Sequence, residues 1–436
     1  MNDLNVKYKD IQFLPVKIIV SFLLFTFALY FLSYWCWVPD NASLLIIYNF
    51  SIYLMLFLGF AYGFKTCILK KVLLKKNILS SKLWKILMVF SIINLYATLL
   101  VIFQTDKLSI DLIIKYILIA NTSLADVYLM RNESQFIDSS ASSNIFMFLY
   151  VYFGFAFYFF KIVSLVLWND LSRINKLSVV VIVSVEILAY VLIGTNKILF
   201  DYLIITPFVL VLRYYFRGNK IEFSFKFIRS NFVFILIIAG AVSFFILTYN
   251  SRMIHHTIDV NPLTGAIIDT NNQNFIERFF SVFKGLDFYL SHSYYFLDKS
   301  FDLPFIPCYG FGSSPFLTNI LSRFIQLQDV APFTYEARFA AMLNYSNGQF
   351  WNTAYVSFAN DVTLLGVPFF VFLLSFLCGN IWRDIIINKN ILALPIFFIM
   401  LILFFYLSSN NQILGKSQFF IFFPLLILWL FFKIRA

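Results

Sequence analysis

The chain has 436 residues, of which 61% are hydrophobic and 13% are charged, and its formal net charge is +11. Soluble domains contain about a quarter charged residues, so this composition excludes a soluble globular fold. A helix needs roughly 20 consecutive apolar residues to cross the hydrocarbon core of a bilayer. The sequence contains many stretches of that kind and therefore predicts an all-α polytopic membrane protein.

About ten apolar stretches have the length and composition of transmembrane helices. We place them at 14–37, 43–64, 86–104, 144–167, 177–194, 198–216, 231–249, 362–382, 391–409 and 418–434. The first stretch is longer than the core of a signal peptide and has no small-residue cleavage site. We therefore expect it to be retained as the first span.

Most of the 33 Lys and Arg residues lie in every second segment between the spans, that is, on one side of the membrane. Examples are the Lys-rich linker at 65–85 and the segment at 213–229. Because short cytoplasmic loops carry an excess of Lys and Arg, we expect both termini to be cytoplasmic. The positive charge then reflects topology and attraction to anionic lipid headgroups. It does not indicate nucleic-acid binding.

This orientation divides the chain into three regions. Residues 1–249 form a transmembrane bundle with spans 1 to 7, residues 250–352 form a large exterior loop, and residues 353–436 form a bundle with spans 8 to 10. The sequence has no GxxxxGK[ST] phosphate-binding loop, so energy from nucleotide hydrolysis is not expected. A reaction at the exterior loop would have to use a pre-activated substrate.

All three histidines of the chain lie in the exterior loop. A neutral imidazole is well suited to accept a proton near neutral pH, so His255 and His256, just after the seventh span, are candidate catalytic bases. A solvated pair without a catalytic role is the alternative interpretation. Glu336 and Asp361 are the competing candidates, because a carboxylate buried beside a hydroxyl group can perform the same proton transfer.

The exterior loop also contains arginines that could bind phosphate. The planar guanidinium group matches two phosphate oxygens at once, and Arg252, Arg278 and Arg338 are therefore candidate ligands of a lipid diphosphate. Ion pairs with loop acids such as Glu277 and Glu336 are the alternative for each arginine taken singly.

The pattern of acids and cysteines indicates no metal site and no cofactor. The loop acids include no DxD pair, and the four cysteines have neither CxxC nor His-paired spacing. In the spans, Glu186 is the one acid near the middle of the membrane. It could be functional, as intramembrane ionisable groups often are, or it could make a structural hydrogen bond.

Two further segments of the loop have a recognisable pattern. Residues 274–297 have apolar positions at helical spacing interrupted by charge, which predicts an amphipathic helix on the outer membrane surface. Residues 304–315 form a turn-rich connector in which Gly310 and Gly312 permit tight bends.

Two segments of the chain resemble the oligosaccharide repeat-unit (O-antigen) polymerases, of the Wzy type, in bacterial surface polysaccharide assembly. Residues 194–209 (GTNKILFDYLIITPFV) are similar to the family's small-residue turn followed by a basic residue, here Lys197, that opens a span. Residues 352–379 are similar to its segment after the long loop, with matches at Asn352, Thr353, Tyr355, Asp361, Gly366 and Gly379. The number of spans and the single large exterior loop also match the family's plan.

The resemblance implies a metal-independent membrane glycosyltransferase with an all-helical, GT-C-like fold in the bacterial inner (cytoplasmic) membrane. Its expected substrates are oligosaccharides linked to undecaprenyl diphosphate, and the growing glycan would be transferred to the non-reducing end of an incoming repeat unit. On this view Lys197, Asn352 and Tyr355 join the loop arginines in substrate binding. A separate chain-length regulator is a further partner that the resemblance allows.

Two other functions are compatible with a basic polytopic chain. An O-antigen ligase would use the same donor with a lipopolysaccharide-core acceptor. A flippase or other transporter of lipid-linked oligosaccharides would need polar groups along its spans and little exterior mass, and the hundred-residue loop weighs against it.

Overall fold

The computed structural model describes residues 11–66, 82–103, 105, 107–122, 144–193, 195, 197–217, 240, 243, 261, 263–265, 283–320, 330–345, 350–412 and 416–435. These residues form helices and turns, and no strand occurs among them. The helices are α1 (Leu14–Leu32), α2 (Ala42–Lys65), α3 (Lys82–Ile102), α4 (Ile110–Thr122), α5 (Asn144–Val166), α6 (Arg173–Leu192), α7 (Lys197–Phe216), α8 (Lys284–Ser300), α9 (Pro315–Ile320), α10 (Tyr335–Met342), α11 (Ala354–Asn388), α12 (Ala393–Phe405) and α13 (Lys416–Arg435).

Seven helices in the described part of the chain are long and apolar enough to cross a membrane, namely α1, α2, α3, α5, α6, α7 and α11. Two shorter apolar helices, Ala393–Ser408 and Gln418–Ile434, coincide with the ninth and tenth expected spans. The expected span at 231–249 lies outside the described residues except for Gly240 and Ser243, which are helical. The prediction of an all-α polytopic membrane protein is therefore confirmed.

The chain forms two compact units, each assembled from separate stretches of sequence. The first unit comprises Met1–Lys70, Met253–Ile387 and Ile399–Phe419. The second comprises Lys71–Arg252, Asn388–Phe398 and Phe420–Ala436. The first unit thus combines helices α1 and α2 with the described part of the long loop and nearly all of α11.

In the first unit, α2 and α11 cross at very close range. A Cβ atom on Gly59 or on Gly63 would lie less than 3.0 Å from a backbone oxygen of α11, and one on Gly379 would meet a backbone oxygen of α2 in the same way. The hydroxyl of Ser375 donates to the Leu56 carbonyl at 2.5 Å across the same interface. Gly59 and Gly63 form a GxxxG pattern, the small-residue spacing that lets membrane helices approach each other closely.

Helix α8 differs from the helix predicted on the membrane surface. It begins at Lys284, and 14 of its 17 residues are buried within the protein, whereas residues 274–282 of the predicted helix lie outside the described part. Several of its buried polar side chains have hydrogen-bond partners elsewhere in the unit. The Tyr294 hydroxyl, for example, lies 3.0 Å from the hydroxyl of Thr26 on α1. The polar positions in the described part of the predicted helix are therefore accommodated inside the fold.

The loop between α1 and α2 is held against α8 by two carboxylates. Asp287 accepts hydrogen bonds from the Ser33 hydroxyl and the Tyr34 amide, both at 2.8 Å. Burial raises the pKa of Asp287 to about 7, and these two hydrogen bonds oppose the shift. About three turns further along α8, Asp298 accepts hydrogen bonds from the two backbone amides that immediately precede α2. A carboxylate at that position also interacts favourably with the positive end of the helix dipole.

At another point of the first unit, three chain segments meet at the end of α11. The Trp382 indole donates to the carbonyls of Ile11 and Gln12 at 3.2 and 3.1 Å. Arg383 donates to the carbonyl of Lys65, the last residue of α2, at 2.8 Å. These contacts bring together the three segments of the unit that the charge distribution assigns to one side of the membrane.

The second unit contains a buried ion pair between two of its apolar helices. The ammonium group of Lys161 on α5 lies 2.9 Å from each carboxylate oxygen of Glu186 on α6. The Tyr202 hydroxyl on α7 donates to the same carboxylate at 2.7 Å. Removing one partner of such a pair leaves an uncompensated buried charge, which typically costs about 3–5 kcal/mol. Glu186 therefore has the structural role considered above, and a functional role stays a hypothesis.

Candidate functional site

The site is built around a break in helix α11 of the first unit. Thr363 has φ 66° and ψ 159°, which interrupts the helical geometry. A positive φ is rare for a β-branched residue, because its side chain crowds the backbone there. The Thr363 hydroxyl accepts the Gly366 amide at 3.2 Å, so it caps the helical segment that follows. The break leaves Asn360 and Asp361 near the end of the preceding segment.

Asp361 holds a tight turn of the long loop. Its carboxylate accepts hydrogen bonds from the backbone amides of Gly310, Gly312 and Ser313 at 2.8, 3.0 and 2.8 Å, and from the Ser313 hydroxyl. Converging backbone amides of this kind form a concave anion site. Four donors occupy the oxygens of Asp361, so its role in this structure is to fix the turn. This makes Asp361 the weaker candidate base of the two described carboxylates.

Glu336 lies at the start of α10, whose first turn is capped by the Thr334 hydroxyl. One of its oxygens accepts from the Ser357 hydroxyl at 2.8 Å, and the other accepts from the Asn360 side-chain amide at 2.9 Å. Each oxygen of an ionised carboxylate has two acceptor positions. Glu336 is partly exposed and keeps acceptor capacity on both oxygens, so it is oriented by its neighbours and can still accept a proton.

Arg338 presents an ordered guanidinium group. One terminal nitrogen, Nη1, donates to the Pro304 carbonyl at 2.7 Å, and the group lies over the Tyr335 ring with 4.5 Å between Cζ and the ring centroid. Its Nε and Nη2 atoms are buried and have no partner at hydrogen-bond distance among the described residues. The guanidinium group also interacts with the Tyr335 side chain and so opposes the rise in the pKa of Tyr335 that burial causes. Two unpaired donors on a fixed planar group match an anion that accepts two hydrogen bonds, such as a phosphate, once the groups that cover them move aside.

The three charged residues act on one common neighbour, the thiol of Cys308. Burial raises the pKa of this thiol to about 11, the carboxylates of Asp361 and Glu336 raise it further, and Arg338 opposes them. Cys308 is therefore a protonated packing residue and not a nucleophile. Its surroundings also show that Asp361, Glu336 and Arg338 belong to one electrostatic site.

Some expected substrate-binding residues have other environments. Tyr355 is fully buried, and its ring makes an edge contact with Tyr48, with 6.5 Å between the centroids. Asn352 is also buried and lies just before α11. Lys197 belongs to the second unit, where its ammonium group pairs with Asp201 at 2.7 Å, one helical turn away. Its positive charge is thus balanced within its own helix.

The candidate residues His255, His256, Arg252 and Arg278 lie outside the described residues, so their roles stay predictions.

The third histidine is described, and its surroundings do not suit a base. His292 stacks on Phe288 at 4.7 Å between ring centroids and meets Trp351 edge-on at 4.6 Å. Burial lowers its pKa to about 4, against the opposing effect of backbone hydrogen bonds at Phe288 and Trp351. It is a neutral member of an aromatic cluster.

Sequence reasoning missed the two residues that orient Glu336. Ser357 and Asn360 are three positions apart near the start of α11, in an otherwise apolar stretch. They therefore lie on the same face of that helix. That pattern was a usable signal. The turn at 304–315 was predicted as a connector, but its attachment to Asp361 depends on a contact 48 or more residues away.

Comparison of the chain with protein-family models, curated proteins and solved structures gives no match.

Proposed function

We propose that this protein is a membrane glycosyltransferase that polymerises lipid-linked oligosaccharides, an O-antigen polymerase. The observation that carries the proposal is the combination of an oriented carboxylate, Glu336, with an arginine, Arg338, that has two buried donors without a partner among the described residues. A sugar hydroxyl needs a base to become a good nucleophile, and a leaving diphosphate needs a cation. Both groups stand where the long loop meets a membrane helix, which suits a substrate with a lipid tail.

In the proposed reaction, a hydroxyl oxygen of the incoming repeat unit attacks the anomeric carbon of the growing glycan. A new C–O bond forms, the bond from that carbon to the diphosphate oxygen breaks, and the electron pair leaves with undecaprenyl diphosphate. Glu336 accepts the hydroxyl proton, and Nε and Nη2 of Arg338 donate to the departing phosphate. His255 and His256 stay rival bases, and Arg252 and Arg278 stay additional phosphate ligands.

The proposal places the protein in the bacterial inner membrane with both termini in the cytoplasm. The basic loops support this orientation, as does the meeting of the start of α1, the end of α2 and the end of α11. The long loop and the candidate site would then face the periplasm.

Cysteine labelling tests this orientation. In a cysteine-free background, we expect a cysteine at the exposed Pro307 to react with a membrane-impermeant thiol reagent in cells whose outer membrane alone is permeabilised. A cysteine at the exposed Lys65 should react only after the inner membrane is opened as well. The opposite pattern would invert the orientation and move the candidate site to the cytoplasm.

Substitution of Arg338 tests its contact with phosphate. We expect Arg338→Ala to lower the polymerisation rate about a hundredfold or more, the scale of losing one preorganised electrostatic contact in a transition state. Arg338→Lys should restore activity only in part, because an ammonium group lacks the planar pair of donors. Arg383→Ala is the matched control, since Arg383 donates to carbonyls at the end of α2, away from the candidate site. If Arg338→Ala, expressed at the normal level, gives a normal ladder of lipopolysaccharide chain lengths, Arg338 takes no part in the reaction.

The reaction class is tested by the lipopolysaccharide ladder of a strain that lacks the protein. A polymerase predicts collapse of the ladder to core plus one repeat unit. Bare core would instead identify a ligase or a flippase. An unchanged ladder would exclude all three roles in this polysaccharide.

A further inference from the structure

The turn that Asp361 holds presents one aromatic side chain to solvent. Tyr309 is 78% exposed, whereas Cys308 before it is fully buried. The described residues make no ring contact with Tyr309 that accounts for its position. Large aromatic side chains usually lose most of their surface on folding, so a ring exposed on a well-held turn is unusual.

The backbone of this turn is unusually well fixed. Tyr309 and Gly310 both have positive φ, at 55° and 87°. A positive φ is costly for a residue with a bulky side chain, and such a conformation persists only where the surrounding structure enforces it. On the C-terminal side of Tyr309, the three backbone amides bound to Asp361 hold the turn in this conformation. On the N-terminal side, Arg338 donates a hydrogen bond to the Pro304 carbonyl at 2.7 Å.

A second polar segment adjoins the same turn. The loop Ser409–Gln412, here the amide loop, has the sequence SNNQ and follows the helical turn Tyr406–Ser408. The Asn411 amide donates to the Ser313 carbonyl at 2.9 Å, and its own oxygen is buried without a hydrogen-bond partner among the described residues. The Gln412 side chain donates to the Asn410 oxygen, so the amide loop is an ordered segment of uncharged polar groups beside the turn.

We propose that Tyr309 and the amide loop form a subsite for an uncharged sugar of the oligosaccharide. A sugar ring offers C–H groups on its face, which pack on an aromatic ring, and hydroxyls at its edge, which pair with amides. A rigid turn holds the ring in place without further ordering cost on binding. This inference rests on the proposed function and assigns Tyr309 to sugar binding beside the charged groups that act on the bond.

The competing explanation is that Tyr309 anchors the loop at the membrane surface, where tyrosine is enriched. An anchor needs only an amphipathic ring at the correct depth. It does not account for the fixed turn or for the amide groups beside it. The two explanations predict different neighbours for the ring, sugar in one case and lipid in the other.

Binding of free oligosaccharide to the full-length protein in lipid nanodiscs tests the subsite. The probe is the single repeat unit released by mild acid from the surface polysaccharide of the native strain, titrated by saturation-transfer NMR. We expect Tyr309→Asn to weaken binding about tenfold, as loss of an aromatic stacking contact would, while Tyr309→Phe stays within about threefold of wild type. Asparagine tolerates a positive φ, so the variant keeps the turn. Tyr62→Ala is the control, since Tyr62 is also exposed and lies near the end of α2.

A bromolipid experiment separates sugar from membrane. In the Tyr309→Trp variant, we expect the added fluorescence to respond to the repeat unit and to resist quenching by brominated lipids. Quenching by lipid without a response to sugar would overturn the subsite, as would equal binding by wild type and Tyr309→Asn or no binding by wild type. The proposed function is tested separately by the ladder of Glu336→Gln, which does not depend on Tyr309.

Discussion

Replacing Glu336 by Gln is expected to collapse the polysaccharide ladder to core plus one repeat unit. General-base catalysis typically contributes about 10²–10⁴ in rate, and glutamine has nearly the shape of glutamate but cannot accept the proton. The variant keeps an oxygen that can accept from Ser357 or Asn360, so the local fold should survive. Glu336→Asp should retain part of the activity, because the carboxylate remains but is displaced from its position.

The matched control is Ser357→Ala. It removes one of the two donors that orient Glu336 and leaves the carboxylate in place, so we expect only a several-fold loss of rate. Rates should be compared at equal expression, and accumulation of lipid-linked repeat units should accompany the collapse in Glu336→Gln. If Glu336→Gln polymerises at the wild-type rate, the base is elsewhere and His255 and His256 become the first residues to replace.

The apolar spans and the helical class could be predicted from sequence because both depend on local composition. Nine of the ten expected spans coincide with described helices or with most of one. The bilayer requires long apolar segments whatever their tertiary partners, so this signal is strong. The broken helix α11 shows the limit of the signal, since hydropathy does not reveal the positive φ at Thr363.

The candidate site was predicted only in part, because its geometry depends on contacts between distant residues. Glu336 and Arg338 were named from residue type and from their place in the long loop, and Asp361 from residue type and from the resemblance of residues 352–379 to the polymerase segment. The sequence could not assign different roles to the two carboxylates. That difference arises because three amides of the 310–313 turn bind Asp361, while a hydroxyl and a side-chain amide bind Glu336.

The mistaken surface helix has the same cause. Charge between the apolar positions of residues 274–297 suggested a helix on the membrane surface, but Asp287 in this helix, and Asp298 just after it, are hydrogen-bonded to the loop between α1 and α2. A buried polar group costs little when it is hydrogen-bonded. A sequence pattern reports polarity and cannot show whether a partner in the fold satisfies it.

Replacing Gly63 by Ala is expected to destabilise the first unit severely. The new Cβ would lie less than 3.0 Å from three backbone atoms of Phe376, so the two helices must separate or shift. Overpacking of this kind costs about 1–3 kcal/mol and sometimes more, and here no flexible side chain can move to relieve it. We expect the apparent Tm in detergent to fall by about 5 °C or more. Gly366→Ala on α11 is the control, because its Cβ would meet side-chain atoms at 3.3 Å or beyond.

A double variant shows whether the crossing acts as one interface. On the opposite helix, a Cβ on Gly379 would press against the Phe60 carbonyl, so Gly379→Ala alone should be about as harmful as Gly63→Ala. Once one methyl group has forced the two helices apart, the second methyl group causes a smaller additional steric clash. The combined loss of stability should therefore be clearly smaller than the sum of the two single losses, as expected for residues that share one contact. Additive losses would mean that the two glycines act independently and that α2 and α11 can adjust separately at each position.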